Sequence, residues 1–243
     1  MSAFSLAGKT ALVTGANTGI GQAIAVAMGQ AGARVICASR RSCAGTAEMI
    51  GATAEVMQLD FADPMAASDI FADRAIDILV NNAGIIRRED ATEFSEKDWD
   101  DVIDVNLKAL FFTSQAFARA AMAREAGGKI VNIASLLSFQ GGVRVPSYVA
   151  SKHGVAGLTR ALCNEWAAHG INVNAIAPGY IATNNTEALR NDPDRNQAIL
   201  ERIPAGRWGN PSDIAETAVY LAAPASDYVN GAVLNVDGGW LAR

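Results

Sequence analysis

The chain has 243 residues, half of them apolar, which suffices for one well-buried α/β domain and is too few for two. Charged residues make up 19% with both signs interspersed, so the composition excludes a disordered chain. A net charge of −5 argues against nucleic acid or an anionic membrane as partner, because both demand a basic face.

Short apolar runs alternate with longer amphipathic patterns from end to end. Residues 10–13 read as a first strand and 20–30 as its helix. Further strands are expected at 35–38, 56–59, 78–80, 130–133, 171–175 and 232–236, and a helical run at 107–122. Strands apolar on both faces and separated by crossover helices define a doubly wound parallel sheet with helices on both faces. Two stretches read as irregular. Residues 40–53 carry Ser42, Gly45 and Gly51, which predicts a short or frayed crossover. Residues 184–212 carry Pro193, Pro204, Gly206, Gly209 and Pro211 among polar residues, and are expected to form a substrate lid. No apolar run reaches the ~18 residues of a membrane span, and the start MSAFSLAGKT lacks the pattern of a secretory signal. Cys37, Cys43 and Cys163 are odd in number and outside any CxxC spacing, so neither a disulfide framework nor a zinc site fits. Reduced thiols in a cytoplasmic protein are expected. His153 and His169 have no partner in a functional spacing.

Directly after the first strand comes Gly15-Ala16-Asn17-Thr18-Gly19-Ile20-Gly21, running into a helix. Gly15 permits the tight turn, Gly19 lets backbone approach a pyrophosphate, and Gly21 lets helix pack on strand. The anion then sits at the helix N-terminus, where free N–H groups and the dipole favour it. Where an acidic residue would bind the ribose 2′-hydroxyl of NAD, at the end of the second strand, stands Ser39-Arg40-Arg41. A guanidinium suits a 2′-phosphate, so NADP(H) is favoured with Arg40 as its reader, and NAD(H) stays open. Asp60, at the end of the third strand and followed by Phe61, is placed to accept from the adenine amino group. Asn82-Ala83-Gly84 after the fourth strand would let the adenosine ribose pack on backbone. All these positions lie at carboxyl ends of parallel strands, where ligands bind.

Tyr148 and Lys152 are four residues apart and share one face of a helix. A tyrosine of ordinary pKa near 10 is a poor base at neutral pH, and an ammonium one turn away stabilises its phenolate. Ser135 can hydrogen-bond a substrate oxygen and steady a developing alkoxide. Asn106 can hold a water linking Lys152 to solvent.

The order of glycine loop, Asn-Asn-Ala-Gly, Asn106, Ser135 and Tyr-x-x-x-Lys resembles the short-chain dehydrogenase/reductase family over essentially the whole chain. That resemblance implies a single Rossmann domain over residues 1–243 with a seven-stranded parallel sheet, and a catalytic tetrad of Asn106, Ser135, Tyr148 and Lys152. It also implies that Pro178, Gly179, Ile181 and Thr183 hold the nicotinamide carboxamide, that no metal takes part, and that the enzyme is a homotetramer. Residues 85–90, 138–142, 183–186, 202–209 and 237–243 further resemble sugar-acid dehydrogenases acting on 2-dehydro-3-deoxy-D-gluconate or gluconate. At the second strand the chain departs from that branch, whose members would imply NAD.

A sugar acid offers one carboxylate and several hydroxyls. Arg87, Arg88 and Arg144 are candidate carboxylate partners, and Gln140, Asn184 and Asn185 candidate hydroxyl partners. A 3-oxoacyl-carrier-protein reductase or general carbonyl reductase is the alternative. A carrier-protein enzyme would need a basic docking patch, of which this acidic chain shows little sign. A non-catalytic dinucleotide sensor would have a broken tetrad, whereas Ser135, Tyr148 and Lys152 are all present.

Overall fold

The computed structural model of the chain describes residues 2–243. Strand β1 (Thr10–Thr14) leads through the glycine turn into helix α1 (Gly19–Gln30), and β2 (Arg34–Ser39) into the seven-residue α2 (Ala44–Ile50). The crossover after Arg40 is thus short, as its glycines predict, and Gly51 ends the helix at φ 87°. β3 (Ala54–Gln58) starts two residues earlier than expected and is followed by β4 (Ile78–Asn81).

Between β3 and β4 the expected crossover helix is replaced by successive turns. Asp60 accepts from the Ala62 amide at 3.0 Å and Asp63 from the Met65 amide at 2.9 Å. Such local side-chain bonds offer the backbone an alternative to a helix. Phe61, Ala67, Ile70, Phe71 and Ile76 nevertheless bury themselves, so the segment still covers the sheet.

Then come α3 (Glu96–Ile103), a π-helical turn (Asp104–Lys108), α4 (Ala109–Ala123), β5 (Gly128–Ile133), α5 (Pro146–Trp166) and β6 (Ile171–Pro178). α6 (Glu187–Asn191), α7 (Pro193–Arg202), α8 (Pro211–Ala222) and β7 (Val233–Val236) complete the chain. Residues 184–212 are therefore largely helical rather than irregular. Pro193 and Pro211 each open a helix, where the missing N–H costs nothing. Asp192 caps α7 by accepting from the Asp194 and Arg195 amides, and Asn210 with Asp213 forms a capping box on α8.

The seven strands form one parallel sheet in the order β3-β2-β1-β4-β5-β6-β7. Alternate side chains enter opposite layers, as the two-residue period requires. Val13, Val35, Val80 and Ile176 pack beneath α1 and α8, and Leu12, Ile36, Leu79 and Ile130 pack against Phe117 of α4 and Leu162 of α5. The order reverses beside β1, with β2 on one side and β4 on the other. A crevice opens at the carboxyl ends of the strands there.

Candidate active site

A cleft of about 640 Å³ runs along those strand ends. Gly15, Asn17, Thr18, Gly19, Ile20 and Gly21 form one wall. Ser39, Arg40, Asp60 and Phe61 follow, then Asn82, Ala83 and Gly84, and Tyr148, Lys152, Thr183 and Asn184 lie at the other end. The structure thus brings together most of the positions expected to hold a dinucleotide. Of the residues implied after β6, only Thr183 lines this cleft, with its methyl 3.5 Å from where a Cβ on Gly19 would sit. Pro178 is buried, while Gly179 and Ile181 line a smaller cavity of about 230 Å³ beside Tyr180, Ile203 and Asp237.

The glycine turn is built around one asparagine. Asn82 donates from Nδ2 to the carbonyls of Thr14 (2.9 Å) and Gly15 (3.3 Å), and its amide donates to Thr14 Oγ1 at 2.9 Å. Thr14 Oγ1 also accepts from the Ala83 amide and donates to the Val80 carbonyl. A Cβ on Gly21 would stand 2.3 Å from both Asn82 Nδ2 and the Gly15 oxygen, so Gly21 makes room for Asn82 as well as for helix packing. Gly15 and Gly19 have φ of 65° and 60°, backbone that only glycine adopts freely. Ser39 donates to Asn17 Oδ1 at 2.8 Å, tying the tip of the turn to the strand end that carries the exposed Arg40 and Arg41.

Across the cleft, Pro146 opens α5 and places Tyr148 and Lys152 in its first two turns. Lys152 is buried; its Nζ donates to the Ile133 carbonyl at 2.6 Å and lies 5.5 Å from the centroid of the Tyr148 ring. Burial pushes the ammonium down from 10.5 to about 8. Burial raises the half-buried Tyr148 phenol, against which a hydrogen bond with Ser135 and the charge of Arg88 favour the phenolate. Helix α5 is tied to the segment after β5 by Ser138, which donates to the Lys152 carbonyl at 2.7 Å, and within the helix Ser151 donates to the Tyr148 carbonyl at 2.8 Å.

Asn106 is buried in the π turn, but its side chain is spent on structure. Oδ1 accepts from the Ile85 amide at 2.8 Å, and Nδ2 donates to the Ile85 carbonyl (2.9 Å) and to Ser151 Oγ (3.3 Å). The Asn106 side chain is therefore already committed and not free for the water expected to link Lys152 to solvent. π turns of this kind interrupt the regular ladder and recur at functional sites.

The three candidate arginines separate clearly. Arg87 pairs with Asp98 (3.2 Å) and Asp101 (3.1 Å), and Arg144, at φ 64°, pairs with Glu89 and Asp90 (3.1 Å each). Arg88 has no ion pair among the described residues, and its charge reaches the Tyr148 phenol. Gln140 accepts from the indole of Trp240 at 3.4 Å, while Asn184 and Asn185 are exposed on the cleft rim.

Thr14 and the Ile133 carbonyl were not expected from the sequence. Thr14 carries a signal in its place directly before Gly15; a backbone carbonyl carries none.

A crevice at a switch point of the sheet, with a glycine turn at one end and Tyr148 and Lys152 at the other, is the architecture of a nicotinamide-dependent oxidoreductase. A family model described as Enoyl-(Acyl carrier protein) reductase matches residues 15–241, and the chain belongs to the short-chain dehydrogenase/reductase family. It is 56% identical to the 2-dehydro-3-deoxy-D-gluconate 5-dehydrogenase of Escherichia coli strain K12 over 251 aligned positions, covering 100% of this chain and 99% of that relative. Among solved structures, an NADP-bound protein from Agrobacterium tumefaciens, provisionally named a 2-deoxy-D-gluconate 3-dehydrogenase, is 68% identical. It superposes with a TM-score of 0.99 over the full length of both chains. A gluconate 5-dehydrogenase from Burkholderia cenocepacia in complex with NADP and tartrate is 37% identical, with a TM-score of 0.92 over 99% of this chain and 98% of that one.

Proposed function

We propose that the chain is an NADP(H)-dependent oxidoreductase that interconverts a hydroxyl and a keto group on a sugar acid such as 2-keto-3-deoxygluconate or gluconate. The observation that carries this reading is the 56% identity, over the whole chain, to a protein named 2-dehydro-3-deoxy-D-gluconate 5-dehydrogenase; with it stands Arg88, an exposed cation that makes no ion pair among the described residues and whose charge favours the Tyr148 phenolate. A sugar acid brings a carboxylate that a guanidinium can pair with.

The chain's residues fit the cofactor. Gly19 leaves backbone bare at the start of α1, and Ser39, Arg40 and Arg41 face the cleft with no acid among them, as a 2′-phosphate requires. When bound, the nicotinamide supplies or takes up the hydride. Tyr148 gives its phenolic proton to the keto oxygen in reduction and takes it from the hydroxyl in oxidation. Lys152 stabilises the phenolate so formed, and its hydrogen bond to Ile133 holds it in register. Ser135 donates to the same substrate oxygen and steadies its developing charge. The largely helical segment from Asn184 to the end of α7 serves as the lid over the sugar. The assembly we propose is a homotetramer in the cytoplasm, with α4 and α5 at one interface; its support is family resemblance.

The relatives named for 2-dehydro-3-deoxy-D-gluconate and gluconate favour the same substrate class. The test is a panel: NADH and NADPH, each with 2-keto-3-deoxy-, 5-keto- and hexulosonate acids and with a β-ketoacyl thioester. Turnover of a sugar acid with NADPH is expected. Turnover of the thioester alone would replace this reading by a ketoacyl reductase. In the same panel Arg88→Gln should raise KM for the sugar acid by about 10- to 100-fold, the worth of a charge-assisted bond, and leave an uncharged polyol unaffected.

A further inference from the structure

The residues after β7 fold back over the lid and make a small hydrophobic core of their own. Asp237 turns the chain by accepting from the Gly239 amide at 2.8 Å and the Leu241 amide at 2.9 Å. Trp240 is thereby driven inward until it is 4% exposed, against Leu136 next to Ser135 and against Ile199 and Ile203 of the lid. The guanidinium of Arg202 lies 4.0 Å over its ring and the Tyr180 ring 4.7 Å away, while Arg243 donates to the Glu201 and Arg202 carbonyls at the end of α7. A cation there complements the helix dipole, and a cation over an indole face is favourable.

That core has one polar outlet. The Trp240 indole N–H is a donor only, and it points to Gln140 Oε1 at 3.4 Å. Gln140 sits on the segment between Ser135 and Tyr148, and its Nε2 makes no hydrogen bond among the described residues.

We infer that Trp240 is a positioning residue for substrate recognition: it fixes the Gln140 carboxamide with oxygen toward the lid, so that Nε2 remains as a donor to an acceptor oxygen of the sugar acid. This rests on the sugar-acid reading. A free carboxamide presents donor and acceptor edges equally and recognises neither keto nor hydroxyl oxygen. An orientated one always presents a donor, which a carboxylate, keto or hydroxyl oxygen can accept from without the amide having to turn. The cost of locking the amide is met within the fold, before substrate arrives.

The test compares Trp240→Phe, Gln140→Ala and the double variant. Trp240→Phe keeps an aromatic ring in the core and removes the donor. It should raise KM for the keto acid about fivefold, with kcat within twofold and KM for NADPH unchanged. The double variant should be no worse than Gln140→Ala alone, since both changes remove one function. An unchanged KM in Trp240→Phe, or effects of the two substitutions that multiply, would overturn the inference and leave Trp240 as lid packing. A second measurement needs no substrate: the indole N–H resonance of Trp240, assigned by its loss in Trp240→Phe, should move in Gln140→Ala. An unmoved resonance overturns the hydrogen bond whatever the enzyme acts on. Failure of the wild type to turn over any keto acid would count against the sugar-acid reading instead.

Discussion

Replacing Lys152 by Met should separate the stability of this fold from its chemistry. The ammonium is buried with a single hydrogen bond, and its pKa falls from 10.5 to about 8. That gap corresponds to about 3 kcal/mol of burial cost borne by the folded, charged form. Below about pH 8 the lysine is charged in both folded and unfolded chains, and the whole cost is present. Between about 8 and 10.5 the unfolded chain keeps a proton that the folded one has released, so wild-type stability rises with pH. Methionine carries no such proton. It also forfeits the bond to the Ile133 carbonyl, which costs ~1–3 kcal/mol but does so at every pH. The stability of the wild type relative to Lys152→Met should therefore increase by about 2 kcal/mol between pH 7 and 9.5. Urea unfolding of cofactor-free protein at the two pH values measures it, at fixed protein concentration because assembly contributes to stability. A difference that does not change with pH would refute the burial argument, and with it the account of why Lys152 can serve Tyr148.

Two further substitutions address the chemistry directly. Tyr148→Phe should abolish turnover while binding NADPH as the wild type does by fluorescence titration; more than a few per cent of residual activity would remove Tyr148 from the proton transfer. Arg40→Ala should raise KM for NADPH by roughly tenfold or more and leave that for NADH nearly unchanged, since the ion pair with a 2′-phosphate exists for one cofactor only. Equal effects on the two would transfer the role elsewhere, with Arg41 the next residue to change.

The sheet was legible because its central strands are apolar on both faces and because Gly15, Asp60 and Asn82, each an ordinary turn residue alone, recur at successive strand ends. The helices within 184–212, a stretch expected to be irregular, escaped the sequence for a physical reason. Pro193 and Pro211 stop a helix when they fall inside it and start one when they fall at its first residue, and only the caps Asp192 and Asn210 distinguish the two. The missing helix before β4 follows from Asp60 and Asp63, whose side chains capture nearby amides in competition with helical bonds. Within the cleft, the four-residue spacing of Tyr148 and Lys152 was enough to set them on one helix face, with Lys152 Nζ 5.5 Å from the Tyr148 ring centroid. The sequence could not rank three arginines whose difference lies in the distant acids Asp98, Asp101 and Glu89. Nor could it reveal that the Asn106 amide is committed to Ile85, because a backbone partner leaves no mark in a sequence.

The bonds that Asn82 makes across the glycine turn also bear on how the cofactor arrives. The phosphate cradle is tied to β4 by the protein's own atoms, at Thr14, Gly15 and Ala83, so its shape does not wait for a ligand to impose it. Little ordering of the loop then remains to be opposed by binding energy at that end. A dinucleotide arriving at that end would meet a turn already in shape, whereas the opposite rim, at Asn184 and Asn185, is exposed.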